Sequence, residues 1–200
     1  MKRTLLVALL AVPAAALAQA PPPTLPSRDV SIVYRAEGSA REVIPGGIPE
    51  TLQVDWSARR QALRLQPQGR NQIMLLDLAA TALTVIDTGL HSAMDLPVRA
   101  KDLDPVKLRD ARLTRTGSEV IAGLACTDYA VQSRRGAGTV CLTGDGVALR
   151  AEGEIDGRQG SFTAVSVVYE RLPPALFEVP PGYSSFSIPS FSMPGLMRVR

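Results

Sequence analysis

Few side chains in this sequence are of a type and spacing that could do chemistry. Its two cysteines, Cys126 and Cys141, can pair as a disulfide or stand as two separate buried thiols. With the single histidine, His91, they fall short of the four ligands of a structural zinc site. As a general base, His91 would need a nucleophile and an orienting acid. No G-x-S-x-G elbow occurs, and Thr88-Gly89-Leu90-His91-Ser92 is polar and reads as surface. No P-loop occurs, nor a G-x-G-x-x-G after a strand. Gly144-Asp145-Gly146 could suggest calcium, but the other ligands at EF-hand spacing are missing, so it reads as a hairpin turn. Asp77 and Asp87 lie on apolar strands, where a buried carboxyl could have a shifted pKa. Nothing else converges on either, and the favoured reading leaves both in solvent at strand ends. The expectation is a protein that is not an enzyme and has no cofactor or metal.

The elements around these residues are strands. From Asp29 onward apolar residues recur mostly with period two. Leu52, Val54 and Trp56 share one face, Ser57–Arg60 forms a turn, and Leu63 and Leu65 continue the same face. Ile73–Leu78 and Leu83–Ile86 suit a second pair joined near Ala79-Ala80-Thr81. Met74-Leu75-Leu76 is apolar on both faces, so that strand should be covered on both sides. One short helix is expected at Val106–Ala111, capped by Asp102 or Asp104, with Pro105 in its first turn. Strands then return at Leu113–Thr116, Leu124–Val131, Thr139–Thr143, Val147–Glu154 and Ser161–Glu170. Gly136-Ala137-Gly138, Gly144-Asp145-Gly146 and Asp156-Gly157 read as the turns between them. The pattern predicts an up-and-down antiparallel sheet. Without a βαβ period, a doubly wound fold is disfavoured.

Residues 1–20 read as a secretory signal. Lys2 and Arg3 form the charged start, Leu5 to Leu17 the apolar stretch, and Ala18-Gln19-Ala20 offers a cleavage site. The stretch falls short of the roughly 20 apolar residues of a membrane span. No cysteine follows it for lipidation, so the expected product is periplasmic and released, not a lipoprotein. Residues 21–27 read as a Pro-rich disordered leader, and 28–183 as the domain. Export favours pairing Cys126 with Cys141, a bond worth about 3 kcal/mol. Both thiols point to one side of their strands. However, a turn at Gly136 would set Cys141 opposite Ala130, and direct pairing needs the turn nearer Ser133-Arg134.

Charge bears on partners. The chain has 22 basic and 19 acidic residues; four of the basic ones (Lys2, Arg3, Arg198, Arg200) fall outside residues 21–183, which leaves 18 against 19. Such a balance offers no broad basic field for nucleic acid. At 4 %, aromatic content is low for stacking platforms. Residues 184–200 hold a two-copy repeat, Ser185-Phe186-Ser187-Ile188-Pro189 and Ser190-Phe191-Ser192-Met193-Pro194. The favoured reading is a flexible tail. The alternative is a docking segment, because its apolar side chains are much to leave in water.

Ile121-Ala122-Gly123-Leu124-Ala125-Cys126-Thr127-Asp128-Tyr129 resembles the G-x-x-C-x-x-Y/W strand of a family of exported bacterial domains. Thr139–Gly146 resembles its second strand and turn, and Phe177-Glu178-Val179-Pro180-Pro181-Gly182-Tyr183 its closing F-x-x-P-x-G-Y/F element. The resemblance covers residues 70–183 and is similar to the lipoprotein-carrier (LolA/LolB-like) class. It implies a mainly β fold, a single curved antiparallel sheet forming a half-barrel, with one or two short helices. It also implies a concave face that receives a lipid, an acylated protein or another apolar ligand. Trp56, Leu75, Phe162, Phe186 and Phe191 are the candidate lining or docking residues. The alternative is an envelope protein–protein interaction or structural module without a small ligand. No stable membrane span is expected.

Overall fold

A computed structural model describes residues 21–42, 47–48, 50–99, 111–133, 136–155 and 158–187. The expected signal at 1–20, the helix expected up to residue 110, the Asp156-Gly157 turn and the tail beyond 187 lie outside these residues. The strands are β1 (Val30–Gly38), β2 (Thr51–Ser57), β3 (Ala62–Pro67), β4 (Gln72–Asp77), β5 (Ala82–Asp87) and β6 (Ser92–Pro97). They continue as β7 (Arg112–Ile121), β8 (Leu124–Ser133), β9 (Gly136–Leu142), β10 (Ala148–Ile155), β11 (Arg158–Val168) and β12 (Ser184–Ser187). All twelve form one sheet in the order β12-β6-β5-β4-β3-β2-β1-β11-β10-β9-β8-β7. It is mainly β, curved and unclosed, as expected. Among the described residues the helical pieces are two four-residue 3₁₀ turns, Ser39–Glu42 and Pro174–Phe177.

The order explains the shape. β1 is central, with a meander β2–β6 on one side and a second meander β7–β11 on the other. Neighbours pair antiparallel except β12, which lies parallel to β6. β4 and β8 are seven places apart, about 34 Å in a flat sheet. Yet Leu76 and Leu78 from one arm share a connected buried cluster with Cys126, Cys141 and Leu149 from the other. The cluster includes Val30, Ile32 and Trp56, which marks their face as the inner one.

A row of glycines lets the sheet bend. Gly38 faces Gly160, Gly160 faces Gly153, and Gly153 faces Gly138, across β1, β11, β10 and β9. A Cβ at Gly138 would lie 2.2 Å from the Glu152 carbonyl oxygen. One at Gly160 would lie 2.3 Å from the amide nitrogen of Ala40, in the first 3₁₀ turn. So Gly136-Ala137-Gly138 is not the turn that was expected. It begins β9, and the reversal lies between Ser133 and Gly136, which pair with each other. Its glycines give backbones close approach, not a turn conformation.

The ends of the domain are tied down. The leader, expected to be disordered, is held: Trp56 Nε1 donates to the Pro26 carbonyl at 2.8 Å, and Ser27 N to the Asp145 carbonyl at 2.9 Å. Leu25 packs on the inner cluster. At the other end, Ser184–Ser187 adds a strand to β6, so the sheet takes in the start of the expected tail. A tertiary partner for each backbone outweighs the disorder that proline-rich composition suggests.

Candidate functional site

The inner face carries two apolar ladders. One runs Ile32, Val54, Leu65, Met74, Val85, Met94, Phe186, each residue directly opposite the next. The other runs Val30, Trp56, Leu63, Leu76, Leu83, Leu96. Both follow from period-two alternation kept in register by short hairpins. The first crosses seven strands, about 29 Å. Exposure rises along it from Ile32, 3 %, to Met94, 37 %, and Phe186, 61 %. Leu63, Leu65, Leu83, Val85 and Leu96 are half-buried. The β1 end is therefore filled core, while the β6–β12 end is an open apolar trough.

The candidate lining residues divide accordingly. Trp56 is on the inner face but only 2 % exposed, so it builds core and does not line open space. Phe162, on β11, packs edge-on to Tyr34 with ring centroids 6.2 Å apart. Phe186 ends the first ladder. Leu75 is displaced from the proposed lining: it faces Arg64 and Thr84 on the outer side, under Val179 and Tyr183. Adjacent residues of a strand point to opposite faces, and Met74 and Leu76 hold the inner one. Both faces of β4 are thus covered. Phe191 lies outside the described residues. The sequence reading missed β6, since Ser92-Ala93-Met94-Asp95-Leu96-Pro97 alternates weakly, and with it missed Met94 and the trough.

Polar candidates resolve into structural roles. Asp77 Oδ1 accepts from the amides of Ala79 and Ala80, and Asp87 Oδ1 from those of Gly89 and Leu90. Each closes one hairpin, at opposite ends of the β4–β5 pair. His91 follows the second turn at φ 49°, exposed, its ring 5.2 Å from Tyr183. Cys126 and Cys141 are bonded, Cα atoms 5.4 Å apart. Cys141 lies directly opposite Asp128, so the bond runs diagonally to Cys126. The Glu119 carboxylate lies within 4.8 Å of the two sulfurs. Glu119 pairs with Arg150, which also lies 3.5 Å from Asp128. Burial raises the Glu119 pKa, Asp128 adds to the rise, and Arg150 opposes it.

Two further polar groups organise the sheet. On the outer face Asp55, 1 % exposed, accepts from Ser31 at 2.7 Å, Gln53 at 3.1 Å and Arg64 at 3.0 Å. At the β9–β10 turn, Asp145 accepts from Thr143 at 2.6 Å, Arg28 at 2.8 Å and Tyr169 at 3.0 Å. Burial of Asp145 works against its charge, but these three hydrogen bonds prevail and its pKa is lowered. Burial pushes the Tyr34 hydroxyl up; it donates to the Ala148 carbonyl at 2.6 Å.

No protein-family model matches the chain. No curated protein matches it in sequence. Solved structures do share its fold. An uncharacterized conserved protein from Thermus thermophilus is 13 % identical at a TM-score of 0.52, over 81 % of this chain and 91 % of that one. MucB in the MucA/MucB complex of Pseudomonas aeruginosa is 17 % identical, TM-score 0.46, over 72 % and 53 %. The Mycobacterium tuberculosis lipoprotein LppX is 17 % identical, TM-score 0.43, over 68 % and 84 %. At such identities the likeness is one of fold. No helix among the described residues is long and apolar enough to cross a membrane.

Proposed function

We propose that this is an exported periplasmic binding protein that holds a lipid, an acylated protein or another apolar ligand in the trough of its inner face. The carrying observation is the ladder Leu65–Met74–Val85–Met94–Phe186, continuous across five strands and progressively open toward β12. Methionine suits such a surface because its flexible side chain adapts to varied apolar shapes. An acyl chain laid along the ladder gains roughly 0.8 kcal/mol per buried methylene, so a single chain is held reversibly. Such reversible holding suits a carrier. The roles found for Asp77, Asp87 and the disulfide support binding over catalysis.

Native mass spectrometry of protein released from the periplasm without detergent tests the reading. A reproducible lipid adduct is expected, and Val85→Asp with Met94→Asp should abolish it while the far-ultraviolet spectrum stays native. Wild-type protein with no adduct and no affinity for a fluorescent fatty acid would refute apolar carriage. One observation favours a second reading, an envelope protein–protein interaction module. β7 ends the sheet with ten residues and no strand on its outer side among the described residues. Such an edge can accept a partner strand.

A further inference from the structure

A cleft of about 620 Å³ opens where β1 begins and β2 and β11 end; Arg28, Asp29, Arg59, Tyr169, Glu170 and Arg171 line much of it. Asp29 organises this cleft. Its Oδ1 accepts from Ala58 N at 2.9 Å and its Oδ2 from Leu172 N at 3.2 Å. Ala58 directly precedes Arg59, and Leu172 directly follows Arg171. One carboxylate therefore pins two backbone segments so that two arginines stand on a common cleft. Arg28, next to Asp29, lies with its guanidinium carbon 3.6 Å from the centroid of the Tyr169 ring.

The charge balance favours an anion. Three arginines stand against two carboxylates. Both Asp29 oxygens are occupied by backbone amides, and Arg28 is paired with Asp145. Arg59 and Arg171 have no hydrogen-bond or ion-pair partner among the described residues, and both are exposed. Two unpaired guanidiniums on one cleft repel each other unless an anion lies between them. Their planar forks match the geometry of phosphate and carboxylate.

We infer that this cleft binds an oxyanion of the phosphate type, with Arg59 and Arg171 as its ligands and Asp29 as the residue that positions them. The inference does not depend on the apolar trough, which uses other strands and other side chains.

The test uses the full chain and three proteins: wild type, Arg59→Gln/Arg171→Gln, and a charge-matched control, Arg35→Gln/Arg115→Gln, both exposed and away from the cleft. Inorganic phosphate is titrated by calorimetry. Vesicles of phosphatidylglycerol, with phosphatidylcholine vesicles as the uncharged reference, are tested by co-sedimentation. Wild type should bind phosphate or the anionic vesicles, and the cleft variant should bind about tenfold more weakly, the loss of roughly one charge-assisted contact. Binding of phosphate alone would make the source a free oxyanion. Binding of anionic vesicles, competed by phosphate, would make it a headgroup. Wild type that binds neither, or a control that weakens as much as the cleft variant, would overturn the proposal.

Discussion

Placing one methyl group on the glycine row is the sharpest test of why this sheet curls. Gly138 and Gly160 both lie outside the left-handed region, so alanine meets no backbone strain there, only lack of room. The Cβ of Ala at 138 would sit 2.2 Å from the Glu152 oxygen, and at 160 2.3 Å from Ala40 N, where ordinary contact begins at 3.4 Å. The difference, 3.4 less 2.2, is about 1.2 Å, and the blocking atoms are backbone, held by ladder hydrogen bonds. Overpacking of this kind costs about 1–3 kcal/mol, and backbone obstruction belongs at the upper end. Replacing Gly by Ala returns about 0.4–1 kcal/mol through the unfolded chain. The net loss should be about 2 kcal/mol, a fall in Tm of roughly 4–8 °C for a domain of this size. Gly144 is the control, with nothing within 4 Å of its Cβ position and no positive φ, and Gly144→Ala should be neutral or slightly stabilising. Urea unfolding followed by the single buried tryptophan, Trp56, reads all three variants. Equal midpoints for Gly138→Ala, Gly160→Ala and Gly144→Ala would show that the row does not set the curvature.

Other outcomes follow from the polar groups. Replacing both Cys126 and Cys141 by serine should cost about 3 kcal/mol in the same unfolding assay, the entropy of closing their loop. A change under about 1 kcal/mol would count against that account. Asp55→Ala leaves Arg64 in the outer face without its partner and should cost about 3–5 kcal/mol, with Asp55→Ala/Arg64→Met recovering much of it; a single variant of wild-type stability would remove the pair from the sheet's supports. The lowered pKa of Asp145 gives a pH dependence with a definite sign. Its stabilisation is fully present above the ordinary aspartate range and is lost as pH falls through the lowered value. Amide exchange at residues 25–29 should therefore quicken in acid, and Asp145→Asn should be fast at neutral pH already. An acid step that survives in Asp145→Asn would assign it elsewhere.

The strands were legible because alternation is local. Leu52, Val54 and Trp56, then Leu63 and Leu65, announce one face and keep it across the turn. The turn at Gly144-Asp145-Gly146 was also readable, since its residue types suit few other conformations. Distance along the chain limits the rest. Nothing near Leu75 says that Val179 and Tyr183 will cover its side of the sheet. Cys126 and Cys141 could be matched only once the reversal between Ser133 and Gly136 set the register. Glycines at 38, 138, 153 and 160 look ordinary in sequence and become a row only when four strands lie side by side.

The candidate sites divide in the same way. Sequence alone determined the class of fold, the export-type start, the near-neutral charge of residues 21–183 and the scarcity of catalytic groupings. Tertiary structure decided which apolar residues are filled core and which are open, because exposure depends on neighbours several strands away. Trp56 closed into the core, while Met94, in a strand with little alternation, became part of the trough. Structure also drew Arg59 and Arg171, 112 positions apart by their numbers, onto one cleft through a single aspartate. Side-chain type sets what a residue can do, but only the closing of the chain sets what it faces.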